Sequence, residues 1–276
     1  MIELFRRLLR TRQGAIAIIL LLVIVIACVA GPFVAPHDPD AISFLGRFHP
    51  PDAQYWLGAD ELGRDVFSRL LIGAGRTVPI ALMATLLGTL SGAVIGTLSA
   101  YLGGRWDEAI MRTIDAVMAI PGLLLALLIV NTLGKGEFNA MMAIAVAFVP
   151  GMARITRSVA LVARRQDYVG AAIARGESSA WIVLREMLPN VAAPVVIETT
   201  IRVAFAVMLF ATLSFLGLGA QPPASDWGLM VADGRRYLHQ APWMIIGAGV
   251  AIALTAISFN LLGDGLRDAL NPRDER

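Results

Sequence analysis

Lysine, cysteine and charge are what this sequence has least of. Lys135 is the only lysine, Cys28 the only cysteine, and charged residues fill 16% of 276 positions. A soluble domain carries about 25% charged residues, so a soluble globular reading is disfavoured from the start. One cysteine inside an apolar run excludes an intrachain disulfide and a cysteine metal site. The three histidines, His37, His49 and His239, stand far apart and outside the apolar runs, so no metal site or converging catalytic set is expected. The phosphate loop GxxxxGK[ST] is missing: the one Gly-Lys pair, Gly134-Lys135, continues to Gly-Glu. HExxH and GxSxG are missing too. A net charge of +2 gives no polyanion-binding character, so no nucleic-acid partner is expected. The chain reads as a non-enzyme without a cofactor of its own, and ATP-driven work would need another chain.

What is present is apolar length. Hydrophobic residues make up 57% of the chain, and mean hydropathy is +0.69. They fall in runs at Gly14–Val34, Val78–Tyr101, Ile110–Leu133, Ala140–Val162, Val191–Leu218 and Trp243–Leu262. A span needs about 20 such residues, so an all-α membrane protein of six transmembrane helices is predicted. The first run follows Arg6, Arg7, Arg10 and Arg12. It exceeds the ~7–15 residues of a signal-peptide core and lacks a small-x-small cleavage site, so it reads as a retained span. Gly134-Lys135-Gly136-Glu137 makes the third and fourth runs a tight hairpin.

Arginine placement orients the bundle. With the N-terminus inside, the cytoplasmic segments hold Arg6, Arg7, Arg10, Arg12, Arg105, Arg112, Arg154, Arg157, Arg164, Arg165, Arg175, Arg185, Arg267, Arg273 and Arg276. The other side holds Arg47, Arg64, Arg69, Arg76, Lys135, Arg235 and Arg236. That imbalance predicts N-in and C-in. Residues 1–77 read as a basic segment, first span and outer loop, and 78–276 as the core. In the outer loop, ELGRDVFSRLL (61–71) is amphipathic and predicts an interfacial helix. A second outer loop, Gln221–Pro242, contains Asp226-Trp227-Gly228.

Three features invite a role. In the second run Ala84, Gly88, Gly92, Gly96 and Ala100 recur every four residues, a small-residue ridge suited to close helix packing. Glu198 and Arg202 lie one turn apart in the fifth run. A charge at mid-membrane costs about 2.5–3.5 kcal/mol on insertion scales, so the two either line a path or neutralise each other. Finally, 166–190 is a charged amphipathic insert between spans. Asp167 can cap a short helix with Tyr168, Val169, Ala172 and Ile173 on one face. Gly176 suits the turn after it, and Ser178 or Ser179 can cap a second helix presenting Trp181, Ile182, Leu184 and Leu188 before Pro189 breaks it. A linker lying on the membrane surface fits the pattern equally well.

The insert resembles the "EAA" loop of ABC importer permeases: Tyr168-Val169-x-Ala171-Ala172-x-x-x-Gly176, then Leu188-Pro189-Asn190. Gly170 stands where that motif leads with an acidic residue, and Glu186 where peptide-type relatives often have histidine. WLGADELGRDVFSR (56–69), LSFLGLGAQPPASDWG (213–228) and FNLLGDGLRDALNPR (259–273) are similar to the dipeptide/oligopeptide branch. The resemblance implies a type I importer permease fold in the bacterial inner membrane. It implies a second permease subunit, two cytoplasmic ATPase subunits that bind the ATP, and a periplasmic solute-binding protein. It also implies ATPase coupling through Tyr168, Ala171, Ala172, Gly176, Leu188 and Pro189. The cargo would be di- or oligopeptides; related systems carry nickel chelates, glutathione or other small solutes. An ATP-independent secondary transporter is the rival reading. The outer loops, with Asp226 and Trp227, are the expected docking surface for the binding protein.

Overall fold

The computed structural model describes Leu8 and residues 11–270; Arg6, Arg7, Arg10, Arg273 and Arg276 lie outside the described residues. Thr11 opens the first helix by accepting the Gly14 N–H, and α1 runs Arg12–Val34. Most of α1 is exposed. A narrow stripe of Gly14, Ala17, Ile24 and Gly31 is buried, where it meets α2 and the last helix.

Helix α2, Val66–Leu102, is the longest element. Asp65 caps it by accepting the Phe67 and Ser68 N–H groups. At 1.5 Å per residue its 37 residues extend about 55 Å. Segment 61–71 is therefore no separate interfacial helix: its second half is the first turn and a half of α2. The pattern misleads because the polar face, Arg64, Asp65, Ser68 and Arg69, is buried inside the protein and not in contact with water.

Span three is broken. α3, Gly104–Met118, and α4, Gly122–Leu133, meet at 87° across Ala119-Ile120-Pro121. Pro121 disfavours a helical conformation at the residue before it and has no N–H to continue the ladder. α3 is fastened to α5, Glu137–Ala163, by Asp107, which accepts from Arg157 Nε (2.6 Å) and Nη2 (2.5 Å), and by an Asp115–Arg154 ion pair. In the α4–α5 hairpin, Asn139 donates to the free carbonyls of Leu133 and Gly134.

The amphipathic insert contains α6, Asp167–Ala174. After it come Ala192–Phe215 (α7), Trp227–Gly234 (α8) and Trp243–Ala269 (α9). Five helices are long and apolar enough to cross a membrane, and counting α3–α4 as one broken span makes six. No strand occurs among the described residues. The most extensive packing is between α2 and α5. At Gly88, Gly92 and Gly96 an added Cβ would fall 2.4 Å from the Ala145 carbonyl oxygen, 2.7 Å from that of Val149 and 2.2 Å from that of Ala153. Only hydrogen fits there, so the two backbones touch along three turns.

Candidate functional site

The two ends of α2 define the two ends of the molecule. At its inner end Ala93 and Ala100 share an apolar cluster with Val169, Ala172, Ile182, Met187 and Val191, which seats the insert under the bundle. α6 starts without a side-chain cap: Gln166 is the capping position and makes no such bond. Asp167, expected as the cap, is instead the first helical residue, where its charge favours the positive helix end. Gly176 ends the helix at φ +77°, with its N–H on the Ile173 carbonyl and the Glu177 N–H on that of Ala172.

The expected single face of α6 is divided. Val169 and Ala172 are fully buried and Tyr168 partly so, while Ala171 and Ile173 face out. Ser178 caps the second segment by accepting the Trp181 N–H. That segment is helical in three pieces: Ser179–Trp181, a wider π turn at Ile182–Met187, and Leu188–Asn190. Pro189 does not break it. The π register lets the Leu188 N–H reach back five residues to Val183, and helix persists past the proline to a turn at Val191. Ile182, expected on the presented face, is buried with Val183 and Met187; Leu188 is half-buried and Pro189 exposed.

Three large apolar side chains are left outward on the insert: Ile173 at 54% exposure, Trp181 at 43% and Leu184 at 50%. Gly170, Ala171 and Ala174 of the same insert are exposed as well. Arg175, near Glu177 (3.6 Å) and Glu186 (3.4 Å), lies beside them. Exposed apolar side chains on a segment anchored by its other face are of the kind a protein partner covers.

At the opposite end, polar groups turn inward. Asp60 accepts the Leu62 and Arg64 N–H groups and the Arg64 Nε at 2.7 Å, with Arg69 Nε 3.8 Å away. Arg69 is 2% exposed. Thr77 donates to Asp226 (2.7 Å), Trp227 Nε1 to the Leu70 carbonyl, and Trp243 Nε1 to that of Ala59. Burial pushes the Glu61, Asp226 and Asp233 carboxyls above the ordinary range; for Glu61 the neighbouring Asp60 charge adds to it. Asp226 and Trp227, expected as docking contacts, are thus buried ties between the outer loops and α2. Large apolar side chains exposed on the outer loops include Ile42, Phe44, Leu45, Trp56 and Leu238. Sequence reading missed this cluster because the motif DELGRD shows which charges are present but not that they face one another.

Between the ends, Arg202 Nη2 donates to Glu198 Oε1 at 2.9 Å, near the middle of α7. The guanidinium lies 5.5 Å from the Phe148 ring centroid and lines a cavity of about 280 Å³ at the α3–α4 break.

Comparison with known proteins agrees with this architecture. Residues 92–275 match the family described as binding-protein-dependent transport system inner membrane component, and residues 1–51 match the N-terminal TM domain of oligopeptide transport permease C. The chain is 42% identical to the probable D,D-dipeptide transport system permease protein DdpC of Escherichia coli (strain K12), over 95% of this chain and 87% of that one. It is 38% identical to the glutathione transport system permease protein GsiD of Escherichia coli O6:K15:H31, over 98% and 90%. A chain of the MetNI methionine ABC transporter, solved in inward-facing conformations, shares the fold at TM-score 0.57 and 18% identity, covering 74% of this chain and 97% of that one. A type I importer permease fold, a broken third span and a family match over two-thirds of the length lead to one assignment: the chain belongs to the binding-protein-dependent transport system inner membrane component family, as a multi-pass permease of the inner membrane.

Proposed function

We propose that this chain is one of two permease subunits of an ABC importer for di- or oligopeptides. Separate ATPase subunits bind the surface of 166–190, and a periplasmic binding protein delivers cargo to the outer loops. The observation that carries the reading is the outward set Ile173, Trp181 and Leu184. A surface-lying linker would turn those side chains into lipid, whereas here the insert is anchored to the bundle by its other face. Closure of the ATPases on ATP would then move the insert and, through it, the bundle. N-in and C-in orientation follows, because the insert must meet cytoplasmic ATPases. The peptide cargo rests on the similarity to dipeptide permeases. The relative named for glutathione supports a second reading, import of that tripeptide thiol.

The test is copurification. In the full complex, Ile173→Asp is expected to release the ATPase subunits and abolish uptake while the protein remains inserted. Retained ATPase with normal uptake would overturn the coupling assignment. Binding of alanyl-alanine against glutathione to the cognate binding protein decides the cargo.

A further inference from the structure

Arg202 is a guanidinium placed half-way across the bilayer, and only part of it is used. One N–H group goes to Glu198, while Nε is buried without a partner. The side chain lines the cavity of about 280 Å³ with Met118, Ile120, Ala147, Pro150 and Gly151. Backbone contributes polarity there as well. Pro150, in the cavity wall, has no N–H to continue the α5 ladder, and the α3–α4 corner, which also lines the cavity, interrupts a second one. Irregular backbone at membrane depth persists where it lines a wet cavity. Gly151 lets the guanidinium lie against α5: a Cβ there would stand 2.9 Å from Arg202 Nη2. Phe148 supports the cation from beneath at 5.5 Å.

A guanidinium offers donors only, in a planar fork that fits a carboxylate. We propose that Arg202 forms a transient subsite for a carboxylate group of the transported solute, entered through the cavity at the α3–α4 break. Glu198 keeps the empty site neutral overall and takes up part of the charge when the solute leaves. The cavity is open beside α4, whose Leu124 and Leu128 are exposed, so a second permease facing that side would complete its wall. The assignment rests on the transport reading above.

Two measurements on the assembled importer test it. In a Cys28→Ser chain carrying Ala147→Cys, with each rate divided by that reagent's rate on a free small thiol, anionic sulfonatoethyl methanethiosulfonate is expected to label roughly tenfold faster than the cationic trimethylammonioethyl reagent, and Arg202→Gln is expected to erase that preference. Equal normalised rates for the two reagents overturn the subsite, whatever the cargo is. In proteoliposomes, the uptake ratio of alanyl-alanine to its C-terminal amide is expected to fall about tenfold in Arg202→Gln and to survive in Arg202→Lys. A labelling preference combined with an unchanged uptake ratio removes the solute carboxylate as the ligand. If the wild-type importer carries neither peptide, the peptide reading fails, and the labelling result alone decides the subsite.

Discussion

The outer and inner ends of this permease handle polarity in opposite ways. Outside, charged side chains turn inward: Asp60, Arg64 and Arg69 are buried together, and two tryptophan N–H groups reach backbone carbonyls across the fold. Inside, apolar side chains turn outward: Ile173, Trp181 and Leu184 are exposed on a segment whose anchors are small or aliphatic. The outer end pairs most of its groups within the chain, with Glu61 Oε2, Arg69 Nη1 and Ser225 Oγ left buried without a partner. The inner end leaves its groups for another chain to cover. Stability should therefore be concentrated outside and function inside, and substitutions can separate the two.

The largest effect is expected from Asp60→Asn. It removes the carboxylate from two buried guanidiniums, which costs about 3–5 kcal/mol, so the purified complex should melt well below wild type. A melting curve that does not move would mean the cluster is no more than a surface ion pair. Gly96→Val comes next. Its side chain would collide with the Ala153 carbonyl, and overpacking of this kind costs about 1–3 kcal/mol; a shift in the melting curve measures it. Trp181→Ala reverses the balance. Stability should stay within about 0.5 kcal/mol, while ATPase retention and uptake fall together; a destabilised protein with uptake preserved would blur the contrast between the ends. Ala172, though part of the same motif, is a poor probe of docking. It is fully buried, so a charge there would unseat the insert itself.

The smallest effect concerns pH. Glu61 and Asp233 have raised pKa values in the folded protein because burial disfavours their charged forms. A group raised on folding binds more protons when folded, so stability falls as pH rises. The window opens near the ordinary carboxylate value of about 4 and closes at the raised value. Mild acid should therefore raise the melting temperature, and Glu61→Gln should flatten that dependence. The exposed pairs of Arg175 with Glu177 and Glu186 at the inner end should respond to salt instead.

Five of the spans were legible because an unbroken apolar run of about twenty residues matches the thickness of a bilayer and exceeds what a soluble core helix needs. The third was legible as a run but not as a corner, since hydropathy is blind to direction; Ile120-Pro121 was the available signal. The segment from Glu61 to Leu71 was misread for a physical reason. Amphipathicity reports that two faces differ, and a buried ionic cluster produces the same alternation as a membrane surface. The insert was legible through Gly176 and Ser178, whose turn and cap chemistry is local. Its burial pattern was not, because the pattern of the second segment does not say which face meets the bundle: Ile182, Val183 and Met187 go in, and the π turn at 182–187 shifts the side chains that follow it. Glu198 and Arg202 were legible as a pair. That Gly151 and Phe148 seat the guanidinium beside a cavity required the fold.

Helix α2 has one more consequence. Its outer tip starts beside the Asp60 cluster, its inner half touches α5 backbone to backbone, and its inner tip rests on the insert. A rod about 55 Å long, pivoting by roughly ten degrees at Gly92, about 39 Å from its outer tip and about 15 Å from its inner one, would swing those tips by about 7 Å and about 3 Å in opposite directions. The glycine contacts at Gly88, Gly92 and Gly96 then serve as a fulcrum. A small push on the insert would lever the outer loops through an arm in which Pro79 removes one donor from the helical ladder.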